Sequence, residues 1–204
     1  MNHSPILMYA IIFSLIIICC LLFIRCSKRR ESKKLEGDLT PYTLLTEEMI
    51  DSISDENLVL AIFENLDNKL PRDVDKEYEA VMSWNKPRRS FYIVWWLEAE
   101  VNNGGFEQYY INSSGQYYKE LPSAFASIGA VKFAALAEKA NIVFEEKKDL
   151  YNKPDLSAEE FVGLYENSPL NDYDVEFHSL YEEENLYDLL VEYIRKNKND
   201  FVDK

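Results

Sequence analysis

The chain has no lysine or arginine before Arg25, no cysteine after Cys26, and a single histidine, His178, after His3. Glycine and proline are sparse, at 6 and 7 of 204 residues, and no segment alternates apolar and polar residues for long. Each shortage removes a class of protein. A β-sandwich or barrel needs more turn punctuation and period-two patterning, so an all-α fold is expected. Without cysteine in the bulk of the chain there is neither a disulfide framework nor a thiolate metal site. With one histidine and no cysteine there is no Ser-His-Asp or Cys-His constellation, and no cofactor is implied.

What is present begins with an uncharged apolar run, Ile6 to Ile24. Nineteen helical residues at ~1.5 Å each span roughly 28 Å, close to the ~30 Å hydrocarbon core of a bilayer. Ser4 suits the cap and Pro5 the first helical position. The run is apolar on every face, as a membrane span is and an amphipathic core helix is not. A cleaved signal would want a basic start and a small-residue cleavage site, and this run ends in Arg25. A lipoprotein reading of Cys19 or Cys26 lacks small residues before the cysteine; Cys26 is open to reversible acylation. Six bases (Arg25, Lys28, Arg29, Arg30, Lys33, Lys34) follow the run. They place the remainder of the chain in the cytosol, as a single-pass signal-anchor protein of the inner membrane. The expected organisation is a short outer N-terminus (1–5), a transmembrane helix (6–24), a basic linker (25–45) and a compact multi-helix domain (46–204).

That domain is strongly acidic. Residues 38–204 hold 16 bases and 34 acids, a net charge of −18. Such a field repels nucleic acid and attracts basic partners, although acidity also serves plain solubility. Helix starts are expected at Thr46, Ser54 and Ser90, with Pro122 in a first turn and a Ser157–Glu160 capping box. Core stripes are expected at Leu58, Ile62 and Leu66, at Phe133, Leu136, Ala137, Ala140 and Phe144, and at Leu186, Leu189, Leu190, Tyr193 and Ile194. Phe91 to Val101 is apolar nearly all round and should be a central helix. Asn102-Asn103-Gly104-Gly105 should stop it, with Gly104 left-handed and Gln108, Asn112 and Ser114 bonding the turn's own backbone.

Two stretches carry a family resemblance: AEVNNGGFEQYYINSSG (Ala99 to Gly115) with ASIGAVKFAALAEKA (Ala126 to Ala140), and DYDVEFHSLYEEENLYDLLVEYIRKNKNDF (Asp172 to Phe201). Their Asn-Gly-Gly-Phe-x-Gln-Tyr and Asn-Ser-Ser-Gly motifs, with the acidic aromatic C-terminal helix, resemble the bacterial DNA-mimic protein domain family, over about Asp73 to Phe201. The resemblance implies an all-helical domain without known catalysis. In its best-known member an acidic surface imitates DNA phosphates to occupy a DNA-binding protein.

The expected binding surface is the base-free run from Asp172 to Glu192, whose eight acids are Asp172, Asp174, Glu176, Glu182, Glu183, Glu184, Asp188 and Glu192. Self-repulsion over that length is easier to understand if a basic protein supplies the counter-charge. The partner would be a DNA-binding protein in the sharpest version. Two rivals stay open. One is a hydrolase-type enzyme, should Asp174, His178 and Glu182 converge on a cleft. The other is a structural domain that self-associates as a homodimer. A metal bound by those three residues is weighed against a solvated charged face, and the face is preferred. Glu98 and Glu100, about 200° apart on one helix, are not an acid/base pair.

Overall fold

The computed structural model describes residues 42–151 and 158–203. The apolar run 6–24 lies outside the described residues, and no described helix is long and apolar enough to cross a membrane. No strand occurs among the described residues. In chain order the α-helices are α1 (Glu47–Ser52), α2 (Asp55–Asp67), α3 (Glu77–Ser83), α4 (Lys86–Ile111), α5 (Leu121–Ile128), α6 (Val131–Tyr151), α7 (Ala158–Glu166), α8 (Leu170–Leu180), α9 (Leu186–Lys196) and α10 (Lys198–Phe201). Short 3-10 turns at Val74–Lys76 and Ser113–Tyr117 precede α3 and follow α4.

The anticipated stripes are the core. Leu58, Ile62 and Leu66 of α2, Phe133, Leu136, Ala137 and Ala140 of α6, and Leu186, Leu190 and Ile194 of α9 are buried, with Phe144, Leu189 and Tyr193 packed at the margin. α4 is the axis, and α2, α3, α5, α6, α8 and α10 all touch it. Aromatic rings bind the layers: Phe177 of α8 meets Phe106 and Phe133 edge-on, and Phe133 stacks on Phe125 of α5.

Local signals succeed and fail for identifiable reasons. The Thr46 hydroxyl accepts from Met49 N–H at 3.2 Å, as a cap should. Ser54 precedes α2, but its hydroxyl is engaged by the Asn57 side chain at 3.0 Å instead. Ser90 does not open the central helix. α4 starts four residues earlier, where Asn85 Oδ1 accepts from Arg88 N–H at 3.0 Å, and Pro87 sits in the first turn, where a missing N–H costs nothing. Ser157 lies outside the described residues.

The break inside α4 is one residue later than expected. Gly104 (φ −163°) is extended, and Gly105 (φ 79°, ψ −180°) is the residue with positive φ. Only glycine occupies that region readily. The helix resumes at once toward Ile111, so the Asn-Gly-Gly stretch kinks one element rather than ending it.

The C-terminus closes the domain. Leu45 N–H and the Asn65 amide each donate to Asp203 Oδ2 at 3.0 Å, while Asp203 N–H donates to the Leu45 carbonyl at 2.9 Å. Arg88 reaches the carbonyls of Asp200, Phe201 and Val202 at 2.8, 2.9 and 2.9 Å.

Candidate protein-interaction surface

The kink in α4 creates a second helix N-terminus at Phe106, with N–H groups that its own helix cannot satisfy. Asp174 of α8 supplies the acceptor: Phe106 N–H donates to its Oδ1 at 2.7 Å. The carboxylate lies directly over Gly105, where a Cβ would come within 2.8 Å of Asp174 Cγ. Burial pushes the Asp174 carboxyl above its ordinary range, and the Phe106 N–H only partly restores it.

The polar residues after the kink have one hub. Glu100 is 8% exposed. It accepts from Gln108 at 2.6 Å, Asn112 at 2.8 Å and Ser114 at 3.2 Å. Ser114 also reaches the Tyr109 carbonyl at 3.5 Å. Gln108 and Asn112 therefore hold a buried carboxylate, not the turn's own backbone as expected. The reason is burial: a carboxylate inside the domain needs partners for its oxygens, and these three side chains supply them.

The eight acids of the C-terminal run divide into two groups. Four are used inside the fold. Asp174 caps the second half of α4. Glu184 accepts from Lys132 N–H at 3.0 Å and so caps α6. Glu183 pairs with the Lys132 ammonium, and Glu176 with Lys139 at 3.2 Å. The run contains no base of its own, yet α6 brings two bases to it. The other four, Asp172, Glu182, Asp188 and Glu192, are exposed and form no ion pair among the described residues. Asp188 and Glu192 share the face of α9 opposite the buried Leu186–Leu190–Ile194 stripe.

Asp174, His178 and Glu182 do not converge. Asp174 turns to Phe106 N–H, His178 is exposed, and Glu182 lies beyond the end of α8. Among the described residues no three His, Cys, Asp or Glu side chains could hold a metal ion. Glu98 and Glu100 lie in separate surroundings, as their spacing requires.

Negative charge also gathers where α2, α4 and α9 meet, a place outside the expected run. Glu98 accepts from the Tyr181 hydroxyl, and burial pushes its carboxyl above the usual glutamate range. Tyr187, at the start of α9, donates to the Asp55 carbonyl at 2.8 Å. Its phenol is pushed up by burial and then by the charges of Glu56, Asp55, Glu98 and Asp188. Arg195 meets Asp55 at 2.6 Å, while Glu56 and Glu98 have no base among the described residues. Sequence reading missed this cluster because its members lie far apart in the chain.

A family model described as DMP19-like protein matches residues 82–197, more than half of the chain. No curated protein and no solved structure matches. The matched span contains the kinked α4, its Glu100 hub and the capping acids Asp174 and Glu184, and the chain belongs to the DMP19-like protein family, a DNA-mimic family.

Proposed function

We propose that this protein is a non-enzymatic interaction module that binds the basic surface of a DNA-binding protein by presenting carboxylates in place of DNA phosphates. The observation that carries the reading is the group of exposed, unpaired acids on a DMP19-like domain: Asp172, Glu182, Asp188 and Glu192. Acids that only kept the domain soluble would gain from interspersed bases, as Glu176 and Glu183 do from α6. The apolar run 6–24 would hold the module at the inner membrane face with the domain in the cytosol, so that the partner is sequestered at the membrane.

The test is capture from native membranes with the tagged full-length chain, at low and high salt and with duplex DNA as competitor. A basic DNA-binding protein should be captured, and it should be released by duplex DNA and by salt, because exposed charge pairs are screened within ~8–10 Å. The variant D172N/E182Q/D188N/E192Q should capture it poorly. Retention of the partner by that variant, or retention against both salt and DNA, would refute the reading.

A further inference from the structure

The junction of α2, α4 and α9 is a groove and not only a charged patch. A cavity of about 290 Å³ opens there, lined by Glu56 and Leu60 of α2, Trp95, Glu98 and Asn102 of α4, and Tyr187 of α9. That volume is at or below the small end of metabolite sites, and suits one long side chain.

Its walls are of two kinds. Trp95 and Tyr187 offer aromatic surface, and Leu60 stands 53% exposed at the rim. The Trp95 ring is held in place, parallel to Phe63 (15°) and edge-on to Trp96 (87°), so little order would be lost when something packs on it. Glu56 and Glu98 supply carboxylates with no base among the described residues, and Glu98 is held in surroundings that disfavour its charge. Arg195 of α9, which pairs with Asp55 nearby, is committed to that carboxylate and to the carbonyls of Ile50 and Ile53. A carboxylate removed from water without a counter-ion is costly, and an arriving cation would relieve that cost.

We propose that this groove receives an arginine side chain of the basic partner, with the guanidinium stacked on Trp95 and bonded to Glu98 and Glu56. The inference rests on the interaction-module reading above and adds the anchor point. Arginine fits better than lysine because a planar guanidinium stacks on an aromatic face and bonds a carboxylate through two N–H groups. Glu98 has the capacity, since a carboxylate has acceptor sites left after one bond from Tyr181. The groove also gives a DNA mimic what phosphates lack, an aromatic seat that selects among cations.

The experiment titrates the full-length protein, in non-ionic detergent, with a nonapeptide of arginine and a nonapeptide of lysine by calorimetry. The arginine peptide should bind about fivefold or more tightly, a preference of the size that cation–aromatic stacking supplies. E98Q should weaken the arginine peptide on the order of tenfold, as loss of a charged hydrogen bond does, and erase the preference. W95L should erase it too. E98Q is nearly isosteric and decides the matter alone if W95L fails to fold. The variant D172N/E182Q/D188N/E192Q should weaken both peptides alike and keep the preference. Equal affinity for the two peptides, or a preference that survives E98Q, overturns the groove and leaves the acidic surface standing. If neither peptide binds the parent, the interaction-module reading falls and the groove with it.

Discussion

Replacing Gly105 by alanine should damage this protein through Asp174, a residue 69 positions further along the chain. Two costs are predictable. A non-glycine residue at φ 79° and ψ −180° carries roughly 1–3 kcal/mol of backbone strain. The added Cβ would also displace the Asp174 carboxylate, and with it the bond at 2.7 Å to Phe106 N–H. Loss of such a cap costs about 1 kcal/mol, because the N–H it served is left unsatisfied. The sum is about 3 kcal/mol, or roughly 6–12 °C in melting temperature at about 2–4 °C per kcal/mol for a domain of this size. D174A alone should cost only the cap, about 1 kcal/mol. The double variant should cost about as much as G105A alone, since the cap is already lost there and the clash is relieved. Thermal melts by circular dichroism complete this cycle, and the expected coupling is about 1 kcal/mol. Strict additivity would show that Gly105 and Asp174 do not act on each other, and an unchanged melt for G105A would show that the kink is not strained toward glycine.

The division of the acidic run predicts different outcomes for neighbouring residues. Glu184→Ala should lower stability by about 1 kcal/mol through the lost α6 cap, whereas Glu182→Ala should stay within about 0.5 kcal/mol; equal effects in a melt would void the distinction. Stability should pass through a maximum as pH falls. Glu98, raised by burial, takes up its proton in the folded chain before the unfolded one, so stability climbs from neutral pH toward the ordinary glutamate value of 4.5. Asp203 behaves oppositely: burial raises it, but the bonds from Lys69, Asn65 and Leu45 N–H outweigh that and hold it below 3.8, so its contribution is lost at still lower pH. A steady decline of melting temperature from pH 7 downward would contradict the Glu98 assignment, and no loss below the ordinary aspartate value of 3.8 would contradict that of Asp203. Removal of residues 1–30 should give a soluble, helical domain, and a cytosol-dependent fluorescent reporter after Lys204 should be bright in the full chain and dimmer when Arg25, Lys28, Arg29 and Arg30 become Asn. A truncated protein that stays with membranes after a carbonate wash, or a dark parent fusion at normal expression, would refute the anchor and its orientation.

Periodicity made the core legible: the α2, α6 and α9 stripes needed only a count of three and four. The kink in α4 was half legible. Two adjacent glycines announce a break, but which one turns left-handed depends on Asp174 arriving from α8, and no local rule contains that. The start of α4 escapes a reading that opens the helix at Ser90, because the Asn85 cap and a proline in the first turn are an equally good beginning. The acidic run was visible as composition, but its partition into capping and free carboxylates was not, because the N–H groups that claim Asp174 and Glu184 belong to helices elsewhere. The groove at Trp95 and Glu98 was least visible, since its walls come from three helices and only the fold brings them together.

The bond between Leu45 and Asp203 joins residues 158 positions apart. Closing such a loop in an otherwise disordered chain would cost about 4.5 kcal/mol, so it can form only after the intervening helices have shortened the path. The tie is therefore a late event in folding. A chain without the Asp203 carboxylate would keep the helix stripes and caps of the interior, yet lose the acceptor that Leu45 N–H, the Asn65 amide and the Arg88 guanidinium share, leaving the Asn65 amide to the Tyr42 carbonyl alone. One carboxylate thus reads whether the segment before α1, the body of α2 and the start of α4 have already reached their places.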